Sequence, residues 1–259
     1  METRTCVRAM VNIFFCVLIL CVSCARVSAD SMNLKLEPSE IHIGEFFQGA
    51  SISVTAEVPS KSVPIIEIKG ESHTQKLLRK GRKGGLWMNV GEIKVEAAPS
   101  LYLVLTSGSR PELSKIFGEQ FGYPALKKTI RFSGKFPKSG PGALFDQFIK
   151  LKESEGIYGI FPSTIKVTEA VNDKAKIKGE VRLPANIAPA TYRVVVSAIK
   201  DGKLVQQETT SFNVKMVGLP KLIYSLAFEH ALLHGCVAVV IAIISGFLMG
   251  FLFGGKGAH

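Results

Sequence analysis

Five cations fall close together at Lys76, Arg79, Lys80, Arg82 and Lys83 (KLLRKGRK), followed by Gly84-Gly85 and the only tryptophan, Trp87. Arginine offers forked donors and glycine allows close backbone approach, so the segment could hold a phosphate, a sulfate or an acidic head group. Its ordinary reading is a solvated hairpin tip with Trp87 filling a core, the usual fate of a charge run. A second pair, His230 and His234 beside Glu229, shares one helical face and could ligate a metal. Two histidines with no convergent third ligand anchor a helix at a membrane surface more often, and Tyr224 one or two turns earlier fits that role. No enzyme constellation is present. His42 and His73 fall on different expected elements, and no cysteine lies between residues 25 and 235. A thiol nucleophile, an internal disulfide and a cysteine-held metal are therefore excluded from that stretch. The expectation is a non-catalytic protein with no cofactor, and a hydrolase built from folded carboxylates is the least supported alternative.

The element that organises the chain lies at its C-terminus. Residues 231–255 carry no formal charge and are rich in Val, Ile, Leu, Phe, Ala and Gly. That is long enough for a membrane span, which needs about 20 apolar residues. Within it Ala238, Ala242, Gly246, Gly250 and Gly254 recur every four residues, and small residues let another helix approach closely. Another membrane protein, or a second copy of the chain, is the partner this stripe implies.

The N-terminus has the three parts of a secretory signal. Arg4 and Arg8 are basic, residues 11–22 are apolar, and Val27-Ser28-Ala29 offers a cleavage site. Cleavage after Ala25, acylation at Cys24 and an uncleaved anchor are the alternatives. With 259 residues and a net charge of +11, the chain could attract nucleic acid, but an exported protein seldom meets it. Anionic lipid, acidic glycans or an acidic protein fit that charge better.

Between these ends the pattern is β. Residues 51–58 (SISVTAEV) and 174–183 (KAKIKGEVRL) alternate apolar with polar, and 65–69, 92–97 and 101–106 are similar. Residues 192–199 and 204–214 flank Asp201-Gly202, a tight-hairpin dipeptide. Ser109-Arg110-Pro111-Glu112 has capping-box spacing, predicting a short helix through Phe117. Residues 131–142 read as a turn-rich linker, and 143–155 as an amphipathic helix with Leu144, Phe145, Phe148 and Leu151 on one face. The expected fold is mainly β, an immunoglobulin-like β-sandwich exported region plus one C-terminal transmembrane helix. The expected organisation is a signal peptide over 1–29, a first β unit over 30–108 and a helical and loop connector over 109–156. A second β unit covers 157–217, a juxtamembrane segment and span 218–255, and a short tail 256–259.

Scattered motifs in this order resemble a family. They are Phe47 with Gly49-Ala50, Arg79-Lys80 leading to Gly85-Leu86-Trp87-Met88-Asn89, Pro99 through Tyr102, and Leu151 with Glu155-Gly156-Ile157-Tyr158. Further on come Leu183-Pro184-Ala185-Asn186, Thr191-Tyr192, Asp201-Gly202, Lys215 with Gly218, and the span. The chain resembles a family of single-span transmembrane proteins best known from alphaproteobacteria. The resemblance implies a signal sequence, a β-rich exported region and one C-terminal span in a bacterial cytoplasmic (inner) membrane, with the bulk periplasmic. The family has no established activity, so no catalytic or binding residues transfer. Its association with genes for sulfite-exporter-type permeases implies an accessory role beside a transporter.

Overall fold

A computed structural model describes residues 31–109, 120–134, 140–168 and 173–253. The expected signal peptide, the helix predicted through Phe117 and the tail lie outside the described residues. The strands are β1 (Lys35–Glu37), β2 (Glu40–Ile43), β3 (Ala50–Pro59), β4 (Val63–Lys69), β5 (Ser72–Lys83), β6 (Leu86–Pro99) and β7 (Tyr102–Thr106). After them come helix α1 (Gly122–Thr129), β8 (Arg131–Gly134), α2 (Gly140–Ser154), β9 (Tyr158–Phe161) and β10 (Ile165–Val167). The chain continues with β11 (Lys174–Leu183), β12 (Ala190–Lys200), β13 (Lys203–Met216), α3 (Gly218–Phe228) and α4 (Ala231–Phe253).

The alternating strands form one face of a sandwich. β3 buries Ile52, Val54, Ala56 and Val58, and its antiparallel neighbour β11 buries Ala175, Ile177, Val181 and Leu183. They belong to a sheet ordered β1-β3-β11-β10, which packs on a larger sheet ordered β2-β13-β12-β4-β7-β9. The larger sheet faces them with Ile66, Ile68, Leu103, Leu105, Val194, Val196 and Phe212.

Strands β4 and β7, and β12 from Val194 to Ile199, are buried along nearly their whole length. Both faces of the larger sheet are covered there, so a polar-out alternation is not required. On its far face a second core joins Ile65, Tyr102, Val104 and Ile199 to Leu126 of α1, Phe148 of α2, and Ile93 and Val95 of β6.

The two stretches expected as separate β units interleave. β3 from the first pairs with β11 from the second, β4 with β12, and β7 in parallel with β9. A half-sandwich would leave an apolar face and open ladder edges, and each stretch closes those of the other.

The third sheet, β5-β6-β8, grows out of the second. Gly70 N–H donates to Leu101 O and Ser100 N–H to Glu71 O, both at 2.9 Å, so the β4–β7 ladder runs on into the β5–β6 hairpin. Ala97, at φ 57°, lies where the register shifts between His73 and Gln75.

Residues 131–134, expected as linker, are strand β8, paired with β6 through Phe132↔Val95. Phe132 also meets Phe148 edge-on at 6.0 Å, a tertiary contact that local turn chemistry does not reveal. The helix expected over 143–155 is α2, with Leu144, Phe145 and Phe148 buried, while Leu151 is exposed.

Gly49 shows why one motif residue is glycine. It has φ 97°, and a Cβ there would strike the carbonyl oxygen of Leu183. Gly49→Ala is expected to destabilise the fold by roughly 1–3 kcal/mol from backbone strain alone. Chemical denaturation in mild detergent checks this, and an unchanged midpoint would contradict the close approach.

Candidate functional site

The C-terminal element is built directly onto the sandwich. β13 pairs in parallel with β2 up to Met216↔Ile43, and Val217 N–H donates to Ile43 O at 2.9 Å. The loop after β2 then supplies Glu45, whose carboxylate accepts from the Leu219 N–H at 2.7 Å. A carboxylate suits a helix N-terminus, where amides lack partners and the dipole is positive. That hydrogen bond holds the Glu45 carboxyl below the usual carboxylate range, helped by its own backbone amide.

The sign follows. A depressed folded pKa means the cap is fully present above the ordinary Glu value of about 4.3 and is lost as pH falls through the lower folded value. Hydrogen-exchange protection of the Leu219 amide, corrected for intrinsic rates, should therefore fall only below that range. It should already be low at neutral pH in Glu45→Ala. Equal protection in the variant and the parent would sink the cap.

α3 buries none of its residues. Tyr224 and Phe228 meet with ring centroids 4.8 Å apart and planes tilted by 36°. Glu229 and His230 separate α3 from α4, and Ser225 Oγ donates to the Glu229 carboxylate at 2.6 Å. Of the expected interfacial residues, Tyr224 thus lies in α3, His230 in the turn and His234 in the first turn of α4.

α4 has 23 residues, an 18-residue window of mean hydropathy 2.7 and no buried residue. At 1.5 Å per residue it is roughly 34 Å long, against a hydrocarbon core of about 30 Å. Ala238, Ala242, Gly246 and Gly250 lie on it; Gly254 is outside the described residues. Among the described residues, no neighbouring atom would meet a Cβ built at Gly246 or Gly250.

The basic segment is a hairpin arm with its cations divided. Strand alternation puts Lys76, Lys80 and Arg82 on one face and Arg79 and Lys83 on the other. On the first face Arg82 pairs with Trp87 and lies 5.7 Å from its ring, and Lys76 pairs with Lys94. On the second, Arg79 lies in a groove of about 220 Å³ lined by Leu77, Ile93, Phe148 and Leu151. Trp87 is 69% exposed beside Leu86 and Met88, so it fills no core. The second core is closed at Leu77 and Ile93, several residues short of the turn.

One polar cluster was not legible in the sequence. Glu67, only 3% exposed in the middle of β4, accepts from the Tyr102 hydroxyl at 2.6 Å and from Lys69 Nζ at 3.0 Å. Burial, then the Glu67 charge, raises the Tyr102 pKa, so the phenol stays a neutral donor. Beside them Lys69, Arg193, Thr191, Ser211 and Ser72 line a cleft of about 690 Å³ against α1 and the hairpin base. Arg193 is the register partner of Lys69. The available signal was the single acid inside the apolar run of β4, since a buried carboxylate must be paired or hydrogen-bonded. Among the described residues no three His, Cys, Asp or Glu side chains converge to hold a metal.

Comparison with known proteins gives one family. A family model described as "Putative transmembrane protein (Alph_Pro_TM)" matches residues 31–254. No curated protein matches the chain. Among solved structures, similarity is found to a chain from a study of T cell specificity and activation by the bacterial superantigen toxic shock syndrome toxin-1. That match has 7% identity and a TM-score of 0.23, covering 72% of this chain and 99% of that one.

Proposed function

The chain belongs to this family of transmembrane proteins, and on that premise we propose that it is a non-catalytic, membrane-anchored accessory subunit. In this reading α4 crosses a bacterial inner membrane, the β body stands on the periplasmic side, and the helix docks to another membrane protein. The observation that carries it is the pair Gly246 and Gly250, small residues on an apolar helix, where among the described residues nothing lies within reach of an added Cβ. In lipid the attraction between helices comes from close packing and not from hydrophobicity, so such a stripe is where a partner helix can approach. The basic hairpin is the weaker basis for a receptor module because its cations are split between two faces.

The partner proposed is a multi-span permease, the class suggested by the sulfite-exporter association. Affinity purification of the tagged full chain in mild detergent, with partners identified by mass spectrometry, tests it. A multi-span protein recovered in constant ratio is the expected result. Recovery of this chain alone, or only with copies of itself, would overturn the accessory reading.

A further inference from the structure

We propose that the protein makes a second, built-in contact with the bilayer: α3 lies along the membrane surface, and the loop carrying Phe46 dips beside it. The inference rests on the reading that α4 spans the membrane.

The first observation is the composition of α3 by face. At 3.6 residues per turn, Leu219, Leu222, Ile223 and Leu226 fall within an arc of about 100°, while Lys221 and Ser225 lie on the other side. That division is the pattern of a helix lying in the interface, with its apolar face toward acyl chains and a lysine among head groups. The exposed Tyr224–Phe228 pair lies on the Lys221 side, where aromatic rings settle among the head groups. None of the residues of α3 is buried, and only Pro220, Ser225, Leu226 and Ala227 are half-buried. Leu219, Leu222, Ile223 and Phe228 are all exposed, although they precede the span by only the Glu229-His230 turn. That continuity selects lipid as the occupant, since the chain has entered the membrane within one helical turn of Phe228.

The second observation is independent of the helix. Phe46 is 92% exposed at the tip of the loop between β2 and β3, an arrangement unfavourable in water. Its neighbour Glu45 is the residue that caps α3, and the preceding strand ends against the last residues of β13. The loop and the helix are therefore tied at the same end of the sandwich. The β12–β13 turn, with Leu204, is at the opposite end of β13, roughly 40 Å away along a strand of 14 residues. Three points follow for the molecule: the body is not free to swing on its anchor, the β2–β3 end faces the bilayer, and the Asp201-Gly202 end faces away.

Photo-crosslinking of the full chain in vesicles of phosphatidylethanolamine and phosphatidylglycerol tests this. Benzoylphenylalanine is placed singly in place of Phe46, Ile223, Ile243 or Leu204, all exposed positions. Lipid adducts at 46, 223 and 243, with none at 204, are expected. Loss of adducts at 46 or at 223 while 243 still labels would overturn the surface contact and leave the anchor intact. Failure at 243 would instead overturn the span reading beneath it. Adducts from 46 or 223 to a second copy of the chain would assign the surface to self-association, and adducts at 204 would reverse the orientation; either result overturns the inference.

Discussion

Phe212→Ala should cost the β body about 3–5 kcal/mol, the usual range when a fully buried phenylalanine is truncated. Phe212 is completely buried, and its ring stacks on Tyr192 with centroids 5.3 Å apart and planes 16° apart. The two are register partners on β12 and β13, the strand that leads to α3 and α4. Truncation would open a cavity beneath Tyr192, whose hydroxyl donates to Ala188 O at 2.7 Å and so resists sliding into the void. Tyr192→Phe, which keeps the ring and removes one hydrogen bond, should cost about 1 kcal/mol. Denaturant titration in mild detergent, followed by far-ultraviolet circular dichroism, separates the two. A Phe212→Ala loss no larger than that of Tyr192→Phe would mean that the stacked pair does not hold the sandwich closed.

Gly250→Leu should abolish co-purification with a partner while leaving the chain in the membrane. Leucine lengthens the apolar character of α4, so insertion is favoured, yet its side chain would hold a partner helix away from the backbone. A four-residue repeat drifts by about 40° per step on a straight helix. Gly246 and Gly250 therefore share a face, whereas Ala238 has rotated by about 120° relative to Gly250. Gly246→Leu should match Gly250→Leu, and Ala238→Leu should do less. Ile241 lies on the side opposite Gly250, so Ile241→Ala should leave recovery unchanged. A loss of tenfold or more in recovered partner corresponds to about 1.4 kcal/mol of association. Unchanged recovery with Gly250→Leu would remove the glycine face from the docking account.

Much of this protein could be read from local pattern. The alternation in residues 174–183 became β11 with its apolar residues inside, because a strand buried on one face needs that period. Asp201 and Gly202, at φ 51° and 74°, form the turn their chemistry favours. The uncharged C-terminal run became α4, since length and hydropathy are properties of the segment itself.

What the chain's partners in space decide was not legible. Leu77 and Phe132 earn their strand positions from packing against a second core whose members are distant in sequence. Trp87 is outside because the hairpin continues past that core, a length no local signal carries. Glu67 can remain buried only because Tyr102, on the neighbouring strand, turns its hydroxyl to it.

The sequence by itself therefore determined the β character, the tight turn and the candidate span, features set by neighbours within a few residues. Only the tertiary structure decided that strands from both halves of the chain share two sheets, that five clustered cations divide between two faces, and that Glu45 caps α3. Those arrangements depend on which apolar faces and unpaired backbone groups must be covered, and their covers come from far along the chain.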